Sequence, residues 1–184
     1  LINAASAVMR EQDRSACGGS DGYHWGRIVN IVSSAGLYGK LGQAAYASAK
    51  AGLLGLTRVT AMDLAPAQIT ANAVAPIART RVTETLQSEN ETQETDKEQA
   101  LKSDAHHVAN LVTALCLPKA RTITGQLLGV RGREIVVFNQ PRRAVSMEVV
   151  ADPEHIADEL IAGGEGWLTD LTTDLEAFDT EPLV

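Results

Sequence analysis

The chain has 184 residues, 45% of them apolar and 21% charged, which suits one globular domain and excludes general disorder or a low-complexity polymer. A net charge of −7, from 16 basic and 23 acidic residues, repels phosphate backbones and argues against nucleic acid as a partner. No apolar run nears the roughly 20 residues of a membrane-spanning helix, and the two cysteines, Cys17 and Cys116, cannot build a disulfide framework, so reduced thiols and a cytoplasmic home are expected.

Ile2, Ala5, Val8 and Met9 share one helical face, and this first helix fades near Arg14. The chain opens Leu1-Ile2-Asn3, inside a helical period and without Met or a secretory pattern, so a beginning upstream of Leu1 is expected. Ser15 to Gly22 is small and polar and reads as a loop. Arg27 to Ser33 is short and β-branched, a buried strand, and the glycine-dotted run Ala35 to Gly42 reads as a loop. Gln43 to Leu64 predicts a long helix that Pro66 ends. It is apolar or small nearly all round, so both faces should be covered, one by a sheet and one by a partner helix. Gly52 and Gly55 each cost about 1 kcal/mol against alanine, which close approach of another backbone would offset.

Ile69 to Val74 is a second strand, ended by Pro76. The acidic stretch Thr83 to Lys102 reads as a solvated helix or a flap, and a lid over a site is its functional alternative. Asp104 should cap a helix from Ala105 to Leu117, closed by Pro118. Gln126 to Val130 and Glu134 to Phe138 are strands separated by Arg131-Gly132-Arg133. Asp152-Pro153-Glu154 should open a helix through Ile161, before an irregular acidic end. Alternating helices and strands predict an α/β layer structure with a small, largely parallel sheet. Residues 1–140 should form the body, and residues 141–184 an extension that Trp167 and Phe178 dock on the body or on a neighbouring subunit.

Tyr46 and Lys50 are four apart and share a helical face; Ser33 lies thirteen before Tyr46, at the carboxyl end of the first strand. Ligands of open α/β sheets bind at that end. A free tyrosine titrates near 10, too high for acid–base work at neutral pH, and a nearby ammonium favours its phenolate. A serine hydroxyl can hold a carbonyl or alkoxide oxygen. Such a trio suits proton transfer at a carbonyl/alcohol centre, with hydride from a separate carrier.

The runs Gly26-Arg27-Ile28-Val29-Asn30-Ile31-Val32-Ser33-Ser34-Ala35-Gly36 and Gly42-Gln43-Ala44-Ala45-Tyr46-Ala47-Ser48-Ala49-Lys50-Ala51-Gly52 strongly resemble the short-chain dehydrogenase/reductase family. Ile69 to Pro76 and Ile123-Thr124-Gly125-Gln126 resemble it too, so the likeness covers about residues 1–138. It implies a Rossmann-like, doubly wound parallel sheet and NAD or NADP as cofactor. It makes Tyr46 the general acid/base, Lys50 its partner and a ligand of the nicotinamide ribose, and Ser33 the group that positions the substrate oxygen. Ser34 also bears a hydroxyl, but the thirteen-residue offset selects Ser33; Asn30 reads as a strand residue. Pro76, Ile77 and Thr80 would line the nicotinamide side, although Ile77 stands where the family carries glycine.

The family's glycine-rich phosphate turn, its NAD/NADP-selecting position and its Asn-Ala-Gly segment do not occur in these 184 residues, so the amino-terminal dinucleotide-binding half is expected to be missing. Gly36 to Ala44 and Ile77 to Glu84 resemble the hydroxyacyl-CoA dehydrogenase part of peroxisomal multifunctional enzymes and their bacterial relatives. This favours a 3-hydroxyacyl or 3-oxoacyl thioester as substrate, an acyl-CoA among them, ahead of a steroid or another lipophilic ketone. A homodimer or homotetramer is implied. The alternative is a noncatalytic assembly subunit or remnant lacking its own cofactor half.

Other candidates are weaker. His106 and His107 should diverge by about 100° on a helix, too far to chelate one metal, and His24 and His155 stand alone, so no metal is expected. Arg131, Arg133, Arg142 and Arg143 read as an exposed basic rim or an intersubunit ion pair, with a CoA or cofactor phosphate as the functional alternative.

Overall fold

The computed structural model describes residues 1–11, 26–80, 84–85, 91–141, 145–146, 152–163, 168, 170–178, 180 and 183. The expected Ser15–Gly22 loop, Cys17, His24, Arg142, Arg143 and Trp167 lie outside the described residues. The chain forms two compact units, Leu1–Phe138 together with Thr173–Val184, and Asn139–Thr172.

In the first unit, α1 (Ile2–Glu11) precedes β1 (Arg27–Ile31), then come the one-turn helix α2 (Ala35–Tyr38) and the long helix α3 (Ala44–Leu64). β2 (Thr70–Ile77), α4 (Glu91–Leu101), α5 (His106–Cys116), β3 (Leu127–Arg131) and β4 (Glu134–Val137) follow. The strands lie in the order β1-β2-β3-β4; the first three are parallel and β4 is antiparallel to β3. A tight turn at Gly132 (φ 54°) joins β3 to β4. The second unit contains α6 (Pro153–Ala162), capped by Asp152, whose Oδ1 accepts from Glu154 N–H at 3.3 Å.

The strand period of two sorts the core into layers. Ala71, Ala73 and Ala75 of β2 face α3, packing with Leu54, Ala61 and Leu64, while Val74 faces α5, packing with Leu111 and Leu115. Both faces of the sheet are therefore covered, as a parallel sheet requires. Alanines on the α3 side let that helix lie close. Ile2 and Met9 of α1 pack on the α3 side near Ile28, but Val8 is exposed.

The expected elements differ in instructive places. β2 runs past Val74, where its pairing with β1 ends, to Ile77 because Ala75, Pro76 and Ile77 pair with Gly129, Val130 and Arg131 of β3; Pro76, without an N–H, sits near the end of the strand. α2 falls where a loop was expected. The Ser33 carbonyl accepts Gly36 N–H, and the Ser34 carbonyl accepts Leu37 and Tyr38 N–H, closing one helical turn. Among the described residues α3 is covered on its sheet-facing side, and the side expected to meet a partner helix is open. Leu54, Thr57, Thr60, Ala61 and Leu64 are buried, but Leu56, Val59 and Met62 are exposed, and none of the described residues lies within 4 Å of a Cβ placed at Gly52 or Gly55. Asp104 does cap α5: its Oδ1 accepts His106 N–H at 2.8 Å, and hydrogen bonds from the His106 backbone and ring hold its carboxyl below the ordinary carboxylate range.

Candidate active site

Three segments bring the predicted trio toward the carboxyl end of the sheet. The last β1–β2 pair is Ile31 with Val74, and Val32 N–H still donates to the Val74 carbonyl at 2.8 Å. Ser33 comes next, half-buried, and Pro76 and Ile77 end β2 on the neighbouring strand.

Lys50 lies in the second turn of α3. Its Nζ donates to the Ile31 carbonyl at 3.0 Å, so the last residue of β1 fixes the ammonium. That Nζ also lies 5.6 Å from the centroid of the Tyr46 ring, one helical turn earlier. Tyr46 is 47% exposed, so its phenol is open to a ligand. Ser33 Oγ accepts the Ala35 N–H at 3.3 Å. A hydroxyl that accepts from its own backbone keeps its hydrogen to donate elsewhere. No hydrogen bond joins Ser33 to Tyr46 among the described residues.

Two contacts that sequence reasoning missed set this geometry. Asn30 Nδ2 donates to Thr57 Oγ1 at 2.9 Å, and Thr57, 2% exposed, donates on to the Leu53 carbonyl at 2.7 Å. This relay locks α3 in register on β1. Asn30 is thus a strand residue with a positioning role. The second contact is Gly36. A Cβ there would lie 2.7 Å from Ala51 N and 2.7 Å from the Lys50 carbonyl carbon, both backbone atoms. Only glycine lets α2 lie against α3 at Lys50. Gly36→Ala is therefore expected to cost about 1–3 kcal/mol in a urea unfolding titration and to impair any Lys50-dependent activity. Gly55→Ala, with open space at its Cβ, should be neutral or slightly stabilising in the isolated chain; equal losses at both positions would refute the packing argument.

Other predicted residues are placed differently from one another. Thr80 is exposed beyond β2, and its carbonyl accepts Glu84 N–H at 3.0 Å. Arg79 beside it pairs with Glu84 at 2.7 Å. The expectation of an exposed basic rim fails at Arg131, which is 2% exposed and bonded to Glu134 and to the carboxyl-terminal segment. His106 and His107 do not diverge: their ring centroids are 3.8 Å apart at 39°, because side-chain torsions can close the angle between adjacent helical positions. Among the described residues, no three His, Cys, Asp or Glu side chains gather as a metal site. His155 is exposed on α6. A groove of about 440 Å³ opens at the opposite end of the strands, beside Gln68, Thr70, Arg121 and Thr124, and none of the predicted site residues lines it.

The family described as enoyl-(acyl carrier protein) reductase matches residues 2–132. A short-chain dehydrogenase from Mycobacterium avium shares the fold at a TM-score of 0.71 and 30% identity, over 94% of this chain and 55% of that one. The chain belongs to the short-chain dehydrogenase/reductase family. Its α/β fold, with a parallel-dominated sheet, is Rossmann-like, and the family is one of oxidoreductases. Among curated relatives, the hydroxyacyl-CoA dehydrogenase ChsB1 of Mycobacterium tuberculosis is 33% identical over 97% of this chain and 51% of its own length. The 3-oxoacyl-[acyl-carrier-protein] reductase FabG of Aquifex aeolicus is 42% identical over 59% of this chain and 44% of its own. The peroxisomal hydratase-dehydrogenase-epimerase of Saccharomyces cerevisiae is 35% identical over 72% of this chain and 15% of its own. This short-chain dehydrogenase/reductase chain thus spans about half the length of the first two.

Proposed function

We propose that this chain carries the acid–base machinery of an NAD(P)-dependent oxidoreductase that interconverts a secondary alcohol and a ketone, with a 3-hydroxyacyl/3-oxoacyl thioester as substrate class. The observation that carries this reading is the Lys50 ammonium, tethered to the Ile31 carbonyl and facing an accessible Tyr46 ring where β1 ends. The names of the bacterial and fungal relatives support the substrate class.

When bound, the nicotinamide dinucleotide supplies or accepts the hydride. The hydroxyl and ammonium groups of Tyr46 and Lys50 suit its ribose, and Pro76, Ile77 and Thr80 would flank the nicotinamide at the end of β2. The glycines that follow β1, Gly36, Gly39 and Gly42, belong to α2 and the entry to α3 beside Ser33 and Lys50, so we place the phosphate cradle outside the described residues. In the reducing direction, Ser33 Oγ donates its free hydrogen to the ketone oxygen and orients it. The Tyr46 hydroxyl passes its proton to that oxygen as negative charge develops. The Lys50 ammonium stabilises the phenolate left behind. Oxidation reverses these steps.

The exposed Leu56, Val59 and Met62, with the open Gly52 and Gly55, give α3 a flat apolar face suited to a second copy, so we propose a homodimer or homotetramer. Among the described residues no helix is long and apolar enough to cross a membrane; we place the protein in the cytoplasm. The same open face, with a cradle not found among the described residues, favours a second reading, a noncatalytic assembly subunit. One assay separates them. Purified protein is mixed with NADH or NADPH and either a 3-oxoacyl or an enoyl thioester, and loss of reduced nicotinamide is followed. The first reading expects turnover of the 3-oxoacyl thioester; absence of both cofactor binding and turnover would overturn it in favour of the assembly subunit.

A further inference from the structure

The carboxyl-terminal segment returns to the first unit and ends beside the strand termini that carry the site. It begins with a capping box. Thr173 N–H and Oγ1 both donate to Glu176 Oε2, at 2.7 and 2.9 Å, and Thr173 Oγ1 accepts Glu176 N–H at 3.3 Å. These bonds hold the Glu176 carboxyl below the ordinary carboxylate range. The capped turn, α7 (Asp174–Ala177), delivers Phe178 to a fixed place.

Phe178 is 7% exposed. Its ring meets Phe138 edge-on at 6.4 Å and Tyr38 edge-on at 6.4 Å, and Tyr38 meets Phe138 at 6.3 Å, so the three rings form a closed triangle. The Arg131 guanidinium lies 5.4 Å from the Phe178 ring centroid and holds the Phe178 carbonyl at 2.8 Å. Arg131 ends β3, level with Ile77 at the carboxyl end of β2. Further on, the Leu183 carbonyl accepts Arg133 N–H at 2.6 Å and occupies the space a Gly132 Cβ would need.

Tyr38 is the last residue of α2, the turn whose first two N–H groups, those of Ala35 and Gly36, donate to Ser33 Oγ and to the Ser33 carbonyl. α2 is therefore held on two sides. Gly36 seats it on α3 at Lys50, and Tyr38 seats it on the aromatic triangle. We propose that the segment carrying Phe178 is a positioning element of the active site, holding α2 and, through it, the Ser33 hydroxyl in register with Tyr46 and Lys50. This rests on the assignment of Ser33 to the substrate oxygen made above, but its test does not. A short helix of four residues has no stability of its own, so its order depends on what it packs against.

The experiment is hydrogen exchange, read by mass spectrometry of peptides, on the full chain and on Phe178→Ala. The amides of Gly36, Leu37, Tyr38 and Gly39 are expected to exchange at least tenfold faster, while those of α5 keep their rates. Tyr38→Ala cuts the same contact from the other side and keeps the test open should Phe178→Ala fail to fold. By reciprocity it should release the segment around Phe178 to the same extent. Phe178→Tyr, which keeps the ring, should restore protection. In ketone reduction, Phe178→Ala should lower kcat tenfold or more and leave the KM for the nicotinamide cofactor unchanged. Unchanged exchange at residues 36–39, with the segment itself released, would overturn the proposal. A chain that turns over no ketone would instead count against the dehydrogenase reading, and the exchange result would still decide this one.

Discussion

Tyr46→Phe is expected to reduce 3-oxoacyl thioester reduction by about 10²–10⁴-fold, the range that a positioned general acid contributes. The substitution deletes one oxygen and nothing else. Tyr46 is 47% exposed, so its hydroxyl loses no buried partner and the ring keeps its place on α3. Stability should therefore stay within about 0.5 kcal/mol, and an intact far-ultraviolet spectrum and unfolding midpoint would separate lost chemistry from lost fold. Lys50→Met sharpens the test. It removes the ammonium 5.6 Å from the ring centroid and leaves the Ile31 carbonyl without its donor, but it keeps the phenol. Activity should fall again. Full activity in Tyr46→Phe would mean that the proton comes from elsewhere, and the proposed roles of Tyr46 and Lys50 would fall together.

Much of this site was legible because its geometry is local or periodic. Tyr46 and Lys50 are one helical turn apart, and α3 forms where the alanine- and leucine-rich run predicts it. Ser33 follows a strand whose β-branched residues announce it. What the residue order hid were contacts made across the fold. Glycine density around Gly36 reads as a loop, yet this glycine is there because backbone atoms of Lys50 and Ala51 fill the space of a Cβ. Nothing near Asn30 in the chain points to Thr57, 27 residues on, which it bonds. Similarly, Asn72 looks like one more strand residue, but it is 1% exposed and ties β2 to the approach of β3, donating to the Ile123 carbonyl at 2.8 Å and accepting Gln126 N–H at 3.0 Å. Polar residues in a central strand carry such cross-links because an unpaired amide there would be costly. For α3, likewise, periodicity reports which residues are apolar, not whether a covering partner belongs to the same chain.

Arg131 is the largest of these misreadings and leads to the second strong expectation. Four arginines within thirteen residues suggest a solvated rim, because local sequence shows the charges and not the acceptors 47 and 49 residues later. In the fold the guanidinium makes five hydrogen bonds. Nε and Nη2 bond Glu134 Oε2 at 3.1 and 2.8 Å, Nη1 bonds the Phe178 and Thr180 carbonyls at 2.8 and 2.7 Å, and Nη2 bonds Thr180 Oγ1 at 2.9 Å. A planar fork can serve acceptors on two segments at once; an ammonium cannot reach all of them. Arg131→Met should therefore cost about 3 kcal/mol, towards the low end for breaking a buried charge pair. It falls there because Glu134, whose side chain is 31% exposed, can turn to water. The loss also has a ceiling. Once holding the segment costs more than releasing it, the segment leaves, its two carbonyls are hydrated, and the sheet stays folded. The expected result is thus selective: limited proteolysis should cut around Phe178 in Arg131→Met while strands β1 to β4 resist, and Arg131→Lys should recover less than half of the protection. Equal resistance in the wild type and Arg131→Met would show that the three rings hold the segment without the arginine; loss of protection throughout the sheet would show that the segment and the sheet unfold as one unit.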